Sequence, residues 1–264
     1  MGHVDIPELI REAAKQPTQT ARKAGIARST LLRITQEKTE PTPATLREIA
    51  LAHGYDLICS LKPASDPWAV TAARYLLDPT LPENLPQTRP EIAQWLARYE
   101  RWGITPATPE DPLNPEKIAE KIAPYGNLAQ RQGVRFYAPA PSMSPAELAL
   151  RVASAGDQSK ASWALSGAPL ASHLLGKQAV LAPIVLWVAD NLELAAQNLS
   201  LNLAEATNFQ PAGIVLAQAE TYELEGATQE GGINLVSPVQ GILDLHSLSF
   251  GALARQITSQ SGEN

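Results

Sequence analysis

The chain has 264 residues, 44% of them hydrophobic, which excludes disorder throughout and favours about two domains. Its 27 acidic side chains outnumber 21 basic ones, and the formal net charge of -6 argues against a generic nucleic-acid binder. No stretch approaches ~18 uninterrupted apolar residues, and residues 1–5 lack the features of a signal peptide, so we expect a cytoplasmic protein without a membrane segment.

Four helices are predicted at the N-terminal end, over residues 4–15, 18–24, 28–36 and 41–54. The first has an apolar stripe at the spacing of one helical face, which includes Leu9 and Ala13. Gly25 ends the second helix, because glycine adopts the left-handed conformation that a helix C-terminus needs. The third helix buries Leu31 and Ile34, so its polar residues point away from the core.

A strand is predicted over residues 55–61, directly after these helices. The apolar neighbours of Cys59, the single cysteine of the chain, predict that its thiol is buried. A lone cysteine cannot form an internal disulfide. The four helices and the strand together make up the first expected domain, residues 1–62.

Proline-rich stretches at residues 62–67, 77–90 and 105–115 predict turns or linkers. Helices are expected over residues 68–77 and 90–102, and residues 63–130 are expected to form a helical connecting layer. Its aromatic residues are either anchors for pairing with a second chain or packing surfaces between domains. These residues are Trp68, Tyr75, Trp95, Tyr99 and Trp102.

From residue 131 onward, strand-like and helix-like segments alternate, which is typical of a mixed α/β domain over residues 131–264. A helix is predicted from Ser162 to Gly176, with Pro169 as a break point. Strands are predicted over residues 179–188, 214–216 and 233–236, and further helices over 191–199 and 239–253. The predicted fold class is therefore α+β, with an all-α N-terminal domain, a helical layer and a mixed C-terminal domain.

Basic residues cluster between Thr18 and Lys38, a segment that has five of them and a single acidic residue, Glu37. The sequence GIARSTLLRI at residues 25–34, with Ala21 before it and Pro41 after it, resembles the lambda-repressor-like XRE helix-turn-helix family. That resemblance implies that the helix after the glycine turn enters the major groove of DNA. It implies base contacts by Arg28, Ser29 and Arg33, a methyl contact by Leu32, and phosphate contacts by Thr30 and Lys38.

Two positions depart from the family pattern. Pro17 stands where a Gln usually begins the second helix, and Glu37 stands where a Gly usually follows the third. Gln16, Thr18 or Gln19 is expected to take over the phosphate contact of the missing Gln. The alternative is a helical bundle that dimerises and whose arginines form a solvated face. The candidate DNA-binding set is Thr18, Gln19, Arg22, Arg28, Ser29, Thr30, Arg33 and Lys38.

Three segments near the C-terminal end resemble the corresponding region of AbiEi-type antitoxins from type IV toxin–antitoxin systems. They are residues 163–167 with 174–176, residues 183–188, and residues 236–240 with 243–245. Members of that family normally carry a winged helix-turn-helix in front, where this chain has an XRE-like module. The resemblance implies a protein that represses its own operon beside a nucleotidyltransferase-like toxin.

The four histidines lie far apart and none has a partner at metal-ligand spacing, so no metal, cofactor or catalytic residue is expected. The preferred hypothesis is a transcriptional repressor, acting as the autoregulatory antitoxin of a type IV-like operon and able to form a homodimer on double-stranded operator DNA. One alternative is a regulator that senses a small molecule. The others are a DNA-tethered nuclease or nucleotidyltransferase and an antitoxin that binds protein alone.

Overall fold

The computed structural model describes residues 4–78, 80–105, 114–177 and 182–261. The chain divides into two compact units, Met1–Lys62 and Pro63–Asn264. The first is helical and the second combines helices with a mixed sheet, which confirms the predicted α+β class. Among the helices in those ranges, none is long and apolar enough to span a bilayer.

The N-terminal unit contains the four predicted helices: α1 (Ile6–Lys15), α2 (Pro17–Lys23), α3 (Arg28–Thr35) and α4 (Pro43–Ala52). Asp5 caps α1 by accepting a hydrogen bond from the Glu8 amide at 2.8 Å, and Thr42 caps α4 in the same way. Proline stands in the first turn of α1, α2 and α4, where its missing N–H costs nothing. The core of the unit is formed by Leu9, Ala13, Ala21, Ala24, Leu31, Ile34, Ile49 and Ala50.

The strand prediction for residues 55–61 is wrong, because these residues have no regular secondary structure. A strand needs a neighbouring strand to satisfy its backbone groups, and the described part of this unit contains helices alone. The prediction of a buried Cys59 is wrong for the same reason. Its thiol is exposed, as are the side chains of Ile58 and Leu61.

The C-terminal unit contains nine α-helices and seven strands within the described ranges. Its helices are α5 (Pro67–Leu77), α6 (Leu85–Thr88), α7 (Pro90–Arg101), α8 (Pro115–Ile122), α9 (Pro145–Gln158), α10 (Ala168–Leu175), α11 (Leu192–Ser200), α12 (Pro238–Ser247) and α13 (Gly251–Ser261). Its strands are β1 (Arg135–Tyr137), β2 (Trp163–Gly167), β3 (Ile184–Val188), β4 (Glu205–Ala206), β5 (Ile214–Gln218), β6 (Thr228–Glu230) and β7 (Ile233–Leu235).

The strands form one mixed sheet in the order β4-β1-β5-β3-β2-β7-β6. β3 runs parallel to β5 and antiparallel to β2, and Leu186 pairs with Leu216 on one side and Leu165 on the other. The side chains of β2 and β3 are buried along their whole length. Such continuous burial explains why these strands lack the alternating polar pattern of a half-exposed strand.

The helix predicted from Ser162 to Gly176 is partly wrong, since residues 163–167 form β2 and the helix begins at Ala168. Gly167 has a φ of +77°, and a Cβ atom there would lie 2.1 Å from the Pro183 carbonyl oxygen. The close approach of these two backbones therefore ends the strand at Gly167. A strand that pairs on both sides overrides the helical periodicity of its apolar residues.

Other boundaries also differ from the predictions. The predicted closing helix is two helices, α12 and α13, separated where Ser249 takes a φ of +70°. α6 lies within the proline-rich stretch at residues 77–90, for which the sequence predicts turns or linkers. The sequence does not predict β1, β4, β6, α8 or α9. Residues 106–113 of the third proline-rich stretch and residues 179–181 of the predicted strand over 179–188 lie outside the described residues.

Arg74 connects α5 to the short segment between β7 and α12. Its guanidinium donates to Asp78 at 2.6 Å and to the Ser237 hydroxyl at 3.1 Å, and Ser237 donates in turn to Asp78 at 2.6 Å. Arg74 and Asp78 are both buried. A buried charge pair is stable only when its other polar atoms also have hydrogen-bond partners. Here Arg74 donates to the Glu225 carbonyl, and Asp78 accepts from the Thr80 hydroxyl.

Asp244 lies on α12 in the interior of the C-terminal unit. Its carboxylate accepts hydrogen bonds from the Trp187 indole at 2.9 Å and the Gln240 side-chain amide at 2.7 Å. Burial disfavours the charged form and raises the pKa of Asp244 to about 6, although these hydrogen bonds act in the opposite direction. The folded protein therefore retains a proton on Asp244 at a pH where the unfolded chain has released it.

The Asp244→Asn variant tests this assignment. Since the pKa rises from 3.8 to about 6 on folding, the contribution of Asp244 to the free energy of unfolding should fall as pH rises through this window, by up to ~3 kcal/mol. Below the window both states hold the proton, and above it the decrease is complete. Urea unfolding at several pH values should give a stability difference between wild type and variant that changes in this window. A difference independent of pH would contradict the assignment.

Candidate nucleic-acid interface

The turn between α2 and α3 sets the direction of α3 relative to α2 within the N-terminal unit. Gly25 has a φ of +65°, and the following Ile26 amide donates to the Ala21 carbonyl at 3.1 Å. This bond closes the last turn of α2 in a Schellman arrangement. Ile26 then packs against the core, so the turn is held by both a backbone hydrogen bond and an apolar contact.

α3 presents one apolar and one polar side. Leu31 and Ile34 are buried, whereas Arg28, Ser29 and Arg33 are exposed. Because residues three apart lie on the same side of a helix, burial of this pair determines which side faces solvent. Leu32 is half-buried and Thr30 is exposed. The arrangement can place several side chains of α3 against a ligand without disturbing the core.

The remaining candidates lie on α2 and just after α3. Thr18, Gln19 and Arg22 are exposed on α2, and Lys38 is exposed two residues beyond the cap of α3. The Lys38 amide donates to the Arg33 carbonyl at 2.9 Å, which brings the backbone of Lys38 beside the last turn of α3. All eight predicted DNA-contact residues are therefore exposed on α2, α3 or the turn that follows.

The basic residues of α2 and α3 are free of acidic partners in the described part of the chain. Elsewhere in the unit, Arg47 pairs with Asp56 at 3.0 Å and Lys15 pairs with Glu12 at 2.5 Å. Arg22, Arg28, Arg33 and Lys38 form no such ion pair with a described residue. Lys23, which was not in the predicted contact set, is also exposed at the end of α2, and its charge was the signal that could have included it.

The two departures from the XRE pattern have structural explanations. Pro17 occupies the first turn of α2, whose cap residue Gln16 makes no side-chain hydrogen bond to the helix among the described contacts. Glu37 takes a φ of +57° directly after α3, which is the left-handed conformation that glycine adopts at low cost. Glu37 therefore introduces backbone strain, and it places a negative charge at the already negative end of the helix.

Asp244 and His246 are two titratable residues of the C-terminal unit that lie two positions apart in the sequence. His246 is buried, and burial lowers its pKa. Asp244 is bound by Trp187 and Gln240 and makes no hydrogen bond to His246 among the described atoms. In the described ranges, no three His, Cys, Asp or Glu side chains are grouped to hold a metal ion. His3 lies outside those ranges.

Comparison with known proteins identifies the N-terminal module. Residues 9–58 match the helix-turn-helix family of XRE type, and this range covers α2, the Gly25 turn and α3. The match identifies a DNA-binding domain of the kind found in transcriptional regulators. No curated protein and no solved structure matches the chain. The predicted AbiEi-like C-terminal domain is not supported by these comparisons.

Two substitutions of Glu37 separate backbone strain from charge. Glu37→Gly should stabilise the N-terminal unit by about 1 kcal/mol, because glycine adopts positive φ without strain. Glu37→Ala removes the same charge but keeps a Cβ atom, so it should give little of this gain. Hydrogen exchange of the α2 and α3 amides in the full chain measures the local stability without assuming two-state unfolding. Equal protection in both variants would show that the charge, and not the backbone, is responsible.

Proposed function

We propose that this chain, whose residues 9–58 match the DNA-binding helix-turn-helix family, is a sequence-specific transcriptional repressor that reads its operator with α3. The observation that carries the proposal is the exposed basic side of α3. Arg28 and Arg33 lie there without acidic partners among the described residues, while Leu31 and Ile34 anchor the helix in the core. The protein acts by binding DNA and has no catalytic step in this proposal.

Base recognition is assigned to Arg28, Ser29 and Arg33. An arginine guanidinium can donate two hydrogen bonds to O6 and N7 of guanine, and a serine hydroxyl can donate to or accept from a base edge. Leu32 is half-buried and could contact a thymine methyl group with its exposed part.

Phosphate contacts are assigned to Thr30, Lys38 and the exposed residues of α2, namely Thr18, Gln19 and Arg22. Contacts of this type position a protein on the duplex but carry no sequence information. The chain as a whole is acidic, with a net charge of -6, and we assign its attraction to DNA to the segment between Thr18 and Lys38, which has five basic residues and one acidic residue. A local basic surface on an acidic protein limits nonspecific binding.

We further propose that two copies act together on DNA. A single helix-turn-helix contacts one half-site, and regulators usually place two of them one duplex turn apart. The copies form either a homodimer on an inverted repeat or a cooperative pair of monomers. Trp102 is a suitable anchor, since it is 45% exposed and its ring stacks on Tyr125 with centroids 4.8 Å apart. Tyr99 is fully buried in the same unit, so it contributes to packing inside the unit and cannot serve as a pairing anchor.

The antitoxin role is the finer part of the proposal and rests on the sequence resemblance alone. Two of the resembling segments contain the neighbouring strands β2 and β3, and the third follows β7 and forms most of α12. Their side chains are mostly buried, so they contribute to the core more than to a surface that could contact a partner. Growth of cells that express the neighbouring reading frame, with and without this chain, tests whether that frame encodes a nucleotidyltransferase-like toxin which this chain counteracts.

A second candidate function is a ligand-sensing regulator. It is favoured by a large apolar cavity in the C-terminal unit, lined by residues of α9, α10 and the sheet. In that case a ligand would change the affinity of the protein for its operator.

Arg33→Ala and Lys38→Ala should separate base recognition from phosphate contact. Arg33→Ala is expected to cost about 1 to 3 kcal/mol on the cognate site and to relax the base preference there. Lys38→Ala should weaken binding to all sequences about equally and reduce its salt dependence. Fluorescence anisotropy with duplexes from the promoter of the gene measures both, with Arg11→Ala, an exposed arginine of α1, as the matched control. If Lys38→Ala relaxed the base preference and Arg33→Ala weakened all sequences equally, Lys38 would be the base contact and Arg33 the phosphate contact.

The pairing proposal predicts protection of two half-sites. Footprinting on promoter DNA should show two protected regions centred about 34 to 36 Å apart along the duplex, since one helical turn separates half-sites on one face. Analytical ultracentrifugation of the same complex should give two chains per duplex. Protection of a single half-site by one chain, without cooperativity, would contradict paired binding.

A further inference from the structure

A cavity of about 770 Å³ opens in the C-terminal unit, and its described lining contains no residue assigned to DNA contact. Its walls come from the first half of α9, from α10, from the start of β3 and from the hairpin of β6 and β7. Pockets that bind small molecules usually measure ~300 to 1,000 Å³. The cavity is therefore large enough to bury most of a small organic ligand.

The inner wall of the cavity is aliphatic. Leu148, Ala149, Ile184 and Leu235 are buried side chains that line it, and Met143 and Ile233 are half-buried. No aromatic side chain is among the described lining residues, so the wall offers dispersion contacts and no stacking surface. An alkyl chain suits such a wall better than an aromatic ring. Water in contact with it is unfavourable, and a ligand that displaces this water gains the hydrophobic free energy.

Charged and titratable side chains are found among the exposed residues of the lining. His173 and Lys177 come from the end of α10 and the residues just after it, and Glu230 comes from β6. None of the three forms an ion pair with another residue in the described ranges. Two of the three can carry a positive charge, and both belong to the same segment of the chain.

We propose that this cavity binds a small amphipathic anion, with an aliphatic body against Leu148, Ile184 and Leu235 and an acidic head group beside Lys177 and His173. Medium-chain fatty acids are the simplest members of this ligand class. Lys177 provides a charge-assisted hydrogen bond to the carboxylate, and His173 provides a second donor. The body contributes most of the affinity through burial of apolar surface, and the head group sets the orientation.

Calorimetric titration of the full chain in the absence of DNA tests the proposal, so its outcome does not depend on operator binding. The probes are decanoate, decanol and decylamine, which share one alkyl chain and differ in head-group charge. Decanoate should bind at one site per chain and more tightly than decanol, and decylamine should bind more weakly than either. Tighter binding of decylamine would overturn the anionic assignment, and binding of none of the three would overturn the site.

Two variants locate the site and the head group. Lys177→Met keeps the length of the side chain and removes its charge, so it should weaken decanoate about fivefold and leave decanol unchanged. Ala212→Phe fills the cavity from a half-buried lining position and should weaken both probes, whereas Ala227→Phe, at an exposed alanine outside the lining, should weaken neither. Circular dichroism checks that each variant is folded. Unchanged decanoate affinity in folded Ala212→Phe would place the binding elsewhere.

Discussion

The burial of Leu31 and Ile34 is the constraint on which the DNA-facing surface depends. These two side chains attach α3 to α1 and α2, and helical periodicity then turns Arg28, Ser29 and Arg33 outward. The Gly25 turn determines the direction of the helix, because its left-handed backbone allows α2 to end and α3 to begin within a few residues. Recognition by α3 is therefore a consequence of apolar packing on its opposite side.

In the C-terminal unit, the corresponding constraint is the buried polar network around Arg74. This side chain lies on a helix of the expected connecting layer, yet it bonds to Ser237 at the start of α12 and to backbone carbonyls at residues 222 and 225. Breaking one member would leave an unpaired buried charge. α7 is attached to α5 in a similar way, since the Tyr99 hydroxyl donates to the Ala69 carbonyl at 2.7 Å. The described residues between 63 and 130 therefore share one core with the sheet.

The candidate DNA-binding surface could be predicted almost completely from the sequence, and the C-terminal unit could not. The helix boundaries around Gly25 were within one or two residues of those observed, and all eight candidate residues are exposed. In contrast, the sequence predicts a helix at Trp163 to Gly167, because the apolar residues there fit both periodicities. Its pairing with residues 184–188 and Leu235 decides the strand, and those partners are distant in sequence.

The sequence by itself determined the features that depend on neighbouring residues: the four helices of the N-terminal unit, the Gly25 turn and the basic side of α3. Only the tertiary structure decided that residues 55–61 are not a strand, that Asp244 is a buried acid bound by Trp187, and that α9, α10 and the sheet enclose a cavity. The reason is physical. Helical periodicity and capping act within one or two turns, whereas strand pairing, desolvation of a carboxyl group and the shape of a cavity depend on segments that the chain brings together only when it folds.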